Sequence, residues 1–374
     1  MKKSKLSVAL LTACMAATLL AGCGDKKTET TEATTEATTE AATEAATTTE
    51  ATVADATASE ADADEDENYE TGDASLDNVR NQDEIGDNEL LVVSFGTSFN
   101  DSRRLTIGAI ENKLDEEFGK DYSVRRGFTS QIIIDHVKRR DGIAIDNMTE
   151  ALDRAVDNGV KNLVIQPTHL MNGLEYTDVV NEVGDYADAF DQVVIGDPLL
   201  TSDEDFDEVV KAITDATAEY DDGETAICFM GHGTEADSNE VYQKMQDKLT
   251  DAGFENYFVG TVEATPSVDD VLAKVQAGDY KKVVLEPLMI VAGDHANNDM
   301  AGDDEDSWKS QFVASGNFDK VDCQIEGLGR IEAVEKLYVE HTKAAIDSLG
   351  STEESADSDA AADTEADSAE ESAE

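Results

Sequence analysis

The stretch Ala226-Ile-Cys-Phe-Met-Gly-His-Gly-Thr234 is an unbroken apolar run that ends in a histidine between two glycines. Five apolar residues without a polar break suit a short strand buried on both faces, as in a parallel sheet. The glycines imply tight backbone geometry, or close approach of a ligand, where the strand stops. Outward from this stretch, similar runs recur at Leu90–Phe95, Leu163–Gln166, Val193–Gly196, Tyr257–Gly260 and Val283–Met289. Between them lie helical patterns such as Leu105, Ile107, Ile110, Leu114 and Phe118, or Val334, Leu337, Tyr338, Ala345 and Leu349. Strands alternating with helices predict an α/β fold with parallel sheets covered on both faces.

A weak internal echo divides the chain. Val93-Ser-Phe-Gly-Thr97 is paralleled by Phe229-Met-Gly-His-Gly-Thr234, and Leu163-Val-Ile-Gln-Pro167 by Val283-Val-Leu-Glu-Pro287. The echo predicts two similar doubly wound lobes, an N-terminal one over 88–220 and a C-terminal one over 221–349.

Three residues of the second lobe stand at or just after run ends: His232, Glu263 and His295, each some 30 residues from the next. Run ends in such a sheet are strand C-termini, where ligands bind. Two imidazoles and a carboxylate converging there would hold a divalent transition metal. Glu263 would complete that site or act as a base, and its residue type does not separate the two roles. The adjacent Asp294 is one candidate to orient His295.

Further words narrow the chemistry. They are Val93-Ser-Phe-Gly-Thr-Ser-Phe99, Gln166-Pro-Thr-His-Leu-Met-Asn-Gly173, Met230-Gly-His-Gly-Thr-Glu235, Val262-Glu-Ala-Thr-Pro266, and the long Gly293-Asp-His-Ala-Asn-Asn-Asp-Met-Ala-Gly302 with Ser307-Trp-Lys309 after it. Together these resemble the anaerobic sirohydrochlorin cobaltochelatases over about residues 88 to 349. The resemblance implies a chelatase-like architecture, two lobes with parallel sheets facing a central cleft. It implies insertion of Co²⁺ into sirohydrochlorin, an early step of anaerobic cobalamin synthesis. It assigns His232, Glu263 and His295 to metal binding and His232 and Glu263 to catalysis. Imidazole and carboxylate donors also admit Fe²⁺ or Ni²⁺, and an exported haem-, tetrapyrrole- or metal-binding protein on the same fold is the alternative. Two positions depart from the family pattern: Ala264-Thr265 stands where Gly-Tyr is expected, and Ala236 where a second histidine is.

A substrate rich in carboxylates calls for local cations. Arg103 and Arg104, near the first strand end, and Arg125 and Arg126 are the candidates, each of which also reads as solvated surface charge. Backbone amides around Thr97 and Ser98 offer an anion site. His169, at a strand end in the first lobe, would touch the macrocycle or serve as a structural histidine. His136 is expected to be solvated, His341 half-buried on the last helix, and Trp308 a packing residue.

The formal net charge is −56. From Thr28 to Asp73 there are 15 acids and no Lys or Arg, and Ser351–Glu374 holds 10 more without a base. The folded remainder keeps about −31, which excludes nucleic-acid binding. Residues 24–87 read as a disordered acidic Thr/Glu/Ala linker and 350–374 as a disordered tail. Lys2, Lys3 and Lys5, the apolar Leu6–Leu20 and the word Leu20-Ala-Gly-Cys23 read as a lipoprotein signal peptide over 1–23. Cys23 would then be lipidated, and the protein exported and held on the cell membrane by that anchor only. Cys228 and Cys323 read as buried thiols. A homo-oligomer is compatible with the sequence, which does not specify one.

Overall fold

The computed structural model describes residues 71–362, Glu84 excepted. The signal peptide, Cys23, the tract up to residue 70 and the end of the tail lie outside the described residues.

Two four-stranded sheets, all parallel, carry the fold. The first has the order β2-β1-β3-β4, from β1 (Asn88–Ser94), β2 (Ser123–Phe128), β3 (Asn162–Pro167) and β4 (Gln192–Ile195). The second repeats it as β6-β5-β7-β8, from β5 (Thr225–Gly231), β6 (Tyr257–Thr261), β7 (Lys282–Pro287) and β8 (Lys320–Cys323). The helices between them are α1 (Asn100–Leu105), α2 (Ile107–Phe118), α3 (Gln131–Asp141), α4 (Met148–Asp157), α5 (Leu174–Tyr186), α6 (Asp203–Ala216), α7 (Glu240–Asp251), α8 (Val268–Gln276), α9 (Trp308–Ala314) and α10 (Glu332–Ala362). None of the described helices is long and apolar enough to cross a membrane.

Strands β1, β3, β5 and β6 bury both faces, as their apolar runs require, while the edge strands β4 and β8 stay partly exposed. Leu91 and Val93 of β1 pack with α4 and α5, whereas Leu90 and Val92 join a second core with α2, α6 and α10. In the second sheet Ile227 and Phe229 join that same central core, while Ala226, Cys228 and Met230 face Trp308, Phe312 and Met300. Apolar packing is therefore continuous between the sheets. Each such fully buried aliphatic or aromatic side chain contributes roughly 1.5–3 kcal/mol. Cys228 and Cys323 are both free, and burial pushes their thiols up.

The structure moves three expected boundaries. The described fold includes part of the expected linker: Asp77 pairs with Arg103 and Arg126 at 2.7 Å each, and Ile85 is in a core. The last helix crosses back to the first lobe. Its Tyr338 hydroxyl donates to the carbonyls of Thr168 and His169, Thr342 donates to Gln166, and His341 lies 2.9 Å from Asp205. That helix also runs on to Ala362, past the expected start of the tail.

Strand β2 was not expected, because Arg125 and Arg126 sit in its middle. Both are fully buried and neither lies open to a substrate. Arg126 forms a bidentate pair with Glu111 (2.7 Å twice) and contacts Asp77; Arg125 meets Glu89 at 3.2 Å and Asp146 at 2.8 Å. Burial raises Glu89 to about 7 despite the nearby arginine. His136, expected in solvent, is 2% exposed with Nε2 3.5 Å from Arg140. Trp308 packs on Phe312, as expected.

Glu286 on β7 titrates unusually high. Burial raises it to about 8, aided by the charges of Glu326 and Glu219. An acid raised on folding holds its proton in the native state while the unfolded chain loses it. Stability therefore falls as pH rises from the ordinary carboxylate value near 4.5 toward 8, and levels off above. Glu286→Gln should remove that fall, giving a higher melting temperature than wild type at pH 8 and little difference at pH 4. Parallel melting curves for the two proteins across this range would refute the assignment.

Candidate metal centre

The second sheet delivers the three expected residues to one place. His232 follows β5, Glu263 follows β6, and His295 stands on the loop after β7. These are the C-terminal ends of adjacent strands, where the strand order reverses between β5 and β7. Ladder bonds continue past the strands, with Val262 N donating to Gly231 O and Glu263 N to His232 O. They set Glu263 beside His232, and the two side chains lie 3.8 Å apart. The His232 and His295 rings meet edge to face with centroids 4.6 Å apart. Ligand atoms of the trio all lie within 4.8 Å of one another, close enough for one ion. Glu263 is half-exposed at 55%, and the two imidazoles are 38% and 33% exposed. The site is thus open on one side.

Local geometry fixes His232. Its Nδ1 lies 2.8 Å from the Gly233 carbonyl. A carbonyl can only accept, so Nδ1 carries the hydrogen and Nε2 keeps a lone pair. Gly233 has φ +92, and a Cβ there would sit 2.9 Å from Ala264 and Thr261. The buried Tyr242 hydroxyl accepts from Gly233 N at 3.2 Å. Gly233→Ala should therefore cost about 1–3 kcal/mol of stability and weaken cobalt binding with it. Thermal melts and a cobalt titration check this, and wild-type values in both would refute it.

His295 opens a π-helical turn, Ala296–Met300. Its Nδ1 lies 2.6 Å from Asp299. Asp294, the candidate from sequence, instead accepts from Asn298. Burial disfavours charge on His295, but contact with Asp299 and the fields of Asp294 and Glu263 outweigh it and raise its pKa.

The first lobe meets these loops. Ala292 N donates to Ser102 at 3.0 Å, and Thr97 Oγ1 lies 3.0 Å from where a Cβ on Gly293 would stand. Thr97 and Ser98 are 3% and 6% exposed, so neither side chain lies on an open surface; Thr97 faces Gly293, and the Ser98 carbonyl accepts from Arg140. Arg103 is corrected outright. It is fully buried, donating to Asp77, Thr97 O and Asn100, because an unpaired guanidinium could not be buried there. Arg104 stays partly exposed and pairs with Asp101. His169 is 7% exposed with neither ring nitrogen hydrogen-bonded, and burial lowers it to about 4. Its Nε2 lies 3.7 Å from Glu175, whose charge also reaches Tyr242 behind His232. A cavity of about 730 Å³, lined by Thr71, Asn100, Arg104 and Arg140 among others, does not include the trio.

Glu175, Tyr242 and Asp299 were not singled out from sequence. Only Asp299 carried a signal there, an acid four residues beyond His295.

Two doubly wound lobes with a His/Glu/His centre at the strand ends of one of them define a metal-handling α/β protein of the chelatase type. The cobalt chelatase (CbiK) family model matches residues 88–347, and the chain belongs to that family. It is 37% identical over 257 residues to the sirohydrochlorin cobaltochelatase of Salmonella typhimurium, covering 69% of this chain and 96% of that one. It is 29% identical over 284 residues to a sirohydrochlorin cobaltochelatase of Nitratidesulfovibrio vulgaris, covering 74% and 97%. Bacillus subtilis SirB, solved with Fe³⁺, shares the fold at TM-score 0.50 and 13% identity, covering 70% of this chain and 97% of that one.

Proposed function

We propose that this protein inserts Co²⁺ into sirohydrochlorin, with His232, Glu263 and His295 holding the ion. The observation that carries the reading is the convergence of these three donors within 4.8 Å. Neutral imidazoles hold Co²⁺ and can release it again, whereas thiolates would retain it. Three protein donors leave coordination positions open. The partial exposure of all three side chains leaves that open side to the macrocycle. Glu263 is half-exposed and sits beside both imidazoles, which suits a ligand. Two pyrrole protons must leave as the metal enters. Glu263 is the carboxylate of the trio itself, and Glu175 of the first lobe lies 3.7 Å from His169 with its charge reaching Tyr242.

An insertion assay with sirohydrochlorin and Co²⁺, Ni²⁺ or Fe²⁺ in turn tests this, read by the absorbance change of the macrocycle. Conversion fastest with Co²⁺ is expected. Conversion only with Fe²⁺ or Ni²⁺ would reassign the metal, and tight haem binding without any conversion would support the tetrapyrrole-binding alternative.

We also infer export and anchoring through Cys23. The support is the basic start, the short apolar run and the Leu-Ala-Gly-Cys word. Cys23→Ala should move the protein from the membrane fraction to the soluble one; unchanged fractionation would count against the anchor.

A further inference from the structure

We propose that Asp299 is the positioning residue for His295: its carboxylate accepts the Nδ1 hydrogen and holds the ring with Nε2 turned toward the ion. The inference rests on the trio being the metal site. Its basis is the 2.6 Å contact between His295 Nδ1 and Asp299 Oδ2. An ionised carboxylate only accepts, so this bond selects the Nδ1–H tautomer and leaves the Nε2 lone pair for the metal.

The backbone is built to keep Asp299 in place. His295 and Asp299 are joined by a π-helical turn, an uncommon element that recurs at functional sites. The turn is tied down at both ends. Asn297 donates to the Gly293 carbonyl through its backbone N and its side chain, and Gly302 N donates to Asn298 O at 2.9 Å. A Cβ at Gly302 would stand 2.3 Å from that same oxygen, so only glycine closes the turn. Ala296 and Met300 are buried beneath it.

The two imidazoles are therefore oriented by different acceptors, a neutral carbonyl for His232 and a carboxylate for His295. A carboxylate partner makes the ring the stronger donor and fixes its plane. Asp294 is adjacent in sequence, yet its side chain is engaged by Asn298.

The test compares Asp299→Ala and the near-isosteric Asp299→Asn with wild type in the full chain. Three quantities are read: Co²⁺ affinity by calorimetry, the visible spectrum of bound Co²⁺, and the His295 tautomer by nitrogen NMR on metal-free protein at a pH where the ring is neutral. Asp299→Ala should weaken cobalt binding about 10–100-fold, alter the cobalt spectrum and shift His295 toward the Nε2–H form. Asp299→Asn, whose amide oxygen still accepts, should keep the Nδ1–H form and lose less. Wild-type affinity and tautomer in both variants would overturn the proposal. Asp294, His295 and Asp299 also lie within 4.8 Å of one another. Cobalt binding kept by His232→Ala but lost by Asp299→Ala would make Asp299 a ligand and overturn the positioning role. Wild-type protein that takes up no cobalt would sink the trio reading instead. The tautomer, measured without metal, still decides whether Asp299 orients the ring.

Discussion

His232→Ala is expected to abolish cobalt insertion while leaving the fold intact. In the proposed centre His232 is one of three protein donors, and two remaining donors would make a far poorer chelate. The loss should exceed the roughly 10–100-fold that follows removal of an outer partner of a metal ligand. Its ring is 38% exposed, and its hydrogen bond runs to the neighbouring Gly233 carbonyl, so melting should change little. Insertion rate and melting temperature measured on one preparation separate the two effects. A variant that inserts cobalt within tenfold of wild type would remove His232 from the centre, and the assigned function with it.

Asp77→Ala is expected to destabilise the protein by about 3–5 kcal/mol, since it strands buried guanidinium charge. That is a large part of the roughly 5–15 kcal/mol that holds an ordinary domain together. The Asp77 side chain is 1% exposed and contacts both Arg103 and Arg126, neither of which reaches solvent. A chain beginning at residue 80 should be destabilised for the same reason, whereas one beginning at 71 should not. The pair also carries a pH signature. Burial would raise the Asp77 carboxyl, but its bonds to Arg126 and Arg103 hold it below the usual 3.8. Its contribution is present above that ordinary value and is lost as pH falls through the lower folded one. Urea titrations of Asp77→Ala at neutral pH decide the matter, and a change under about 1 kcal/mol would refute the claim.

Both predictions show where the sequence was readable. His232, Glu263 and His295 were legible because each ends an apolar run, and the end of a buried parallel strand is a place where ligands bind. Asp77 was not, because in sequence it is one more acid in a long acidic tract. Strand β2 was hidden for the complementary reason. Arg125 and Arg126 look like surface charge until Glu89, Glu111, Asp146 and Asp77 arrive from elsewhere in the chain to neutralise them. Arg103, placed in the site from sequence, is spent on the same network. The return of α10 to the first lobe is likewise a matter of long-range packing, which no periodicity records.

The sequence alone determined the α/β class, the duplicated lobes and the three side chains that would meet at the second lobe's strand ends. These follow from local apolar runs, their spacing and the donor types at their ends. Tertiary structure decided which charges are buried, which part of the expected linker joins the core and which carboxylate faces His295. Those outcomes depend on partners distant along the chain or on the exact path of one turn: a buried charge is tolerated only where its counter-charge is delivered to it.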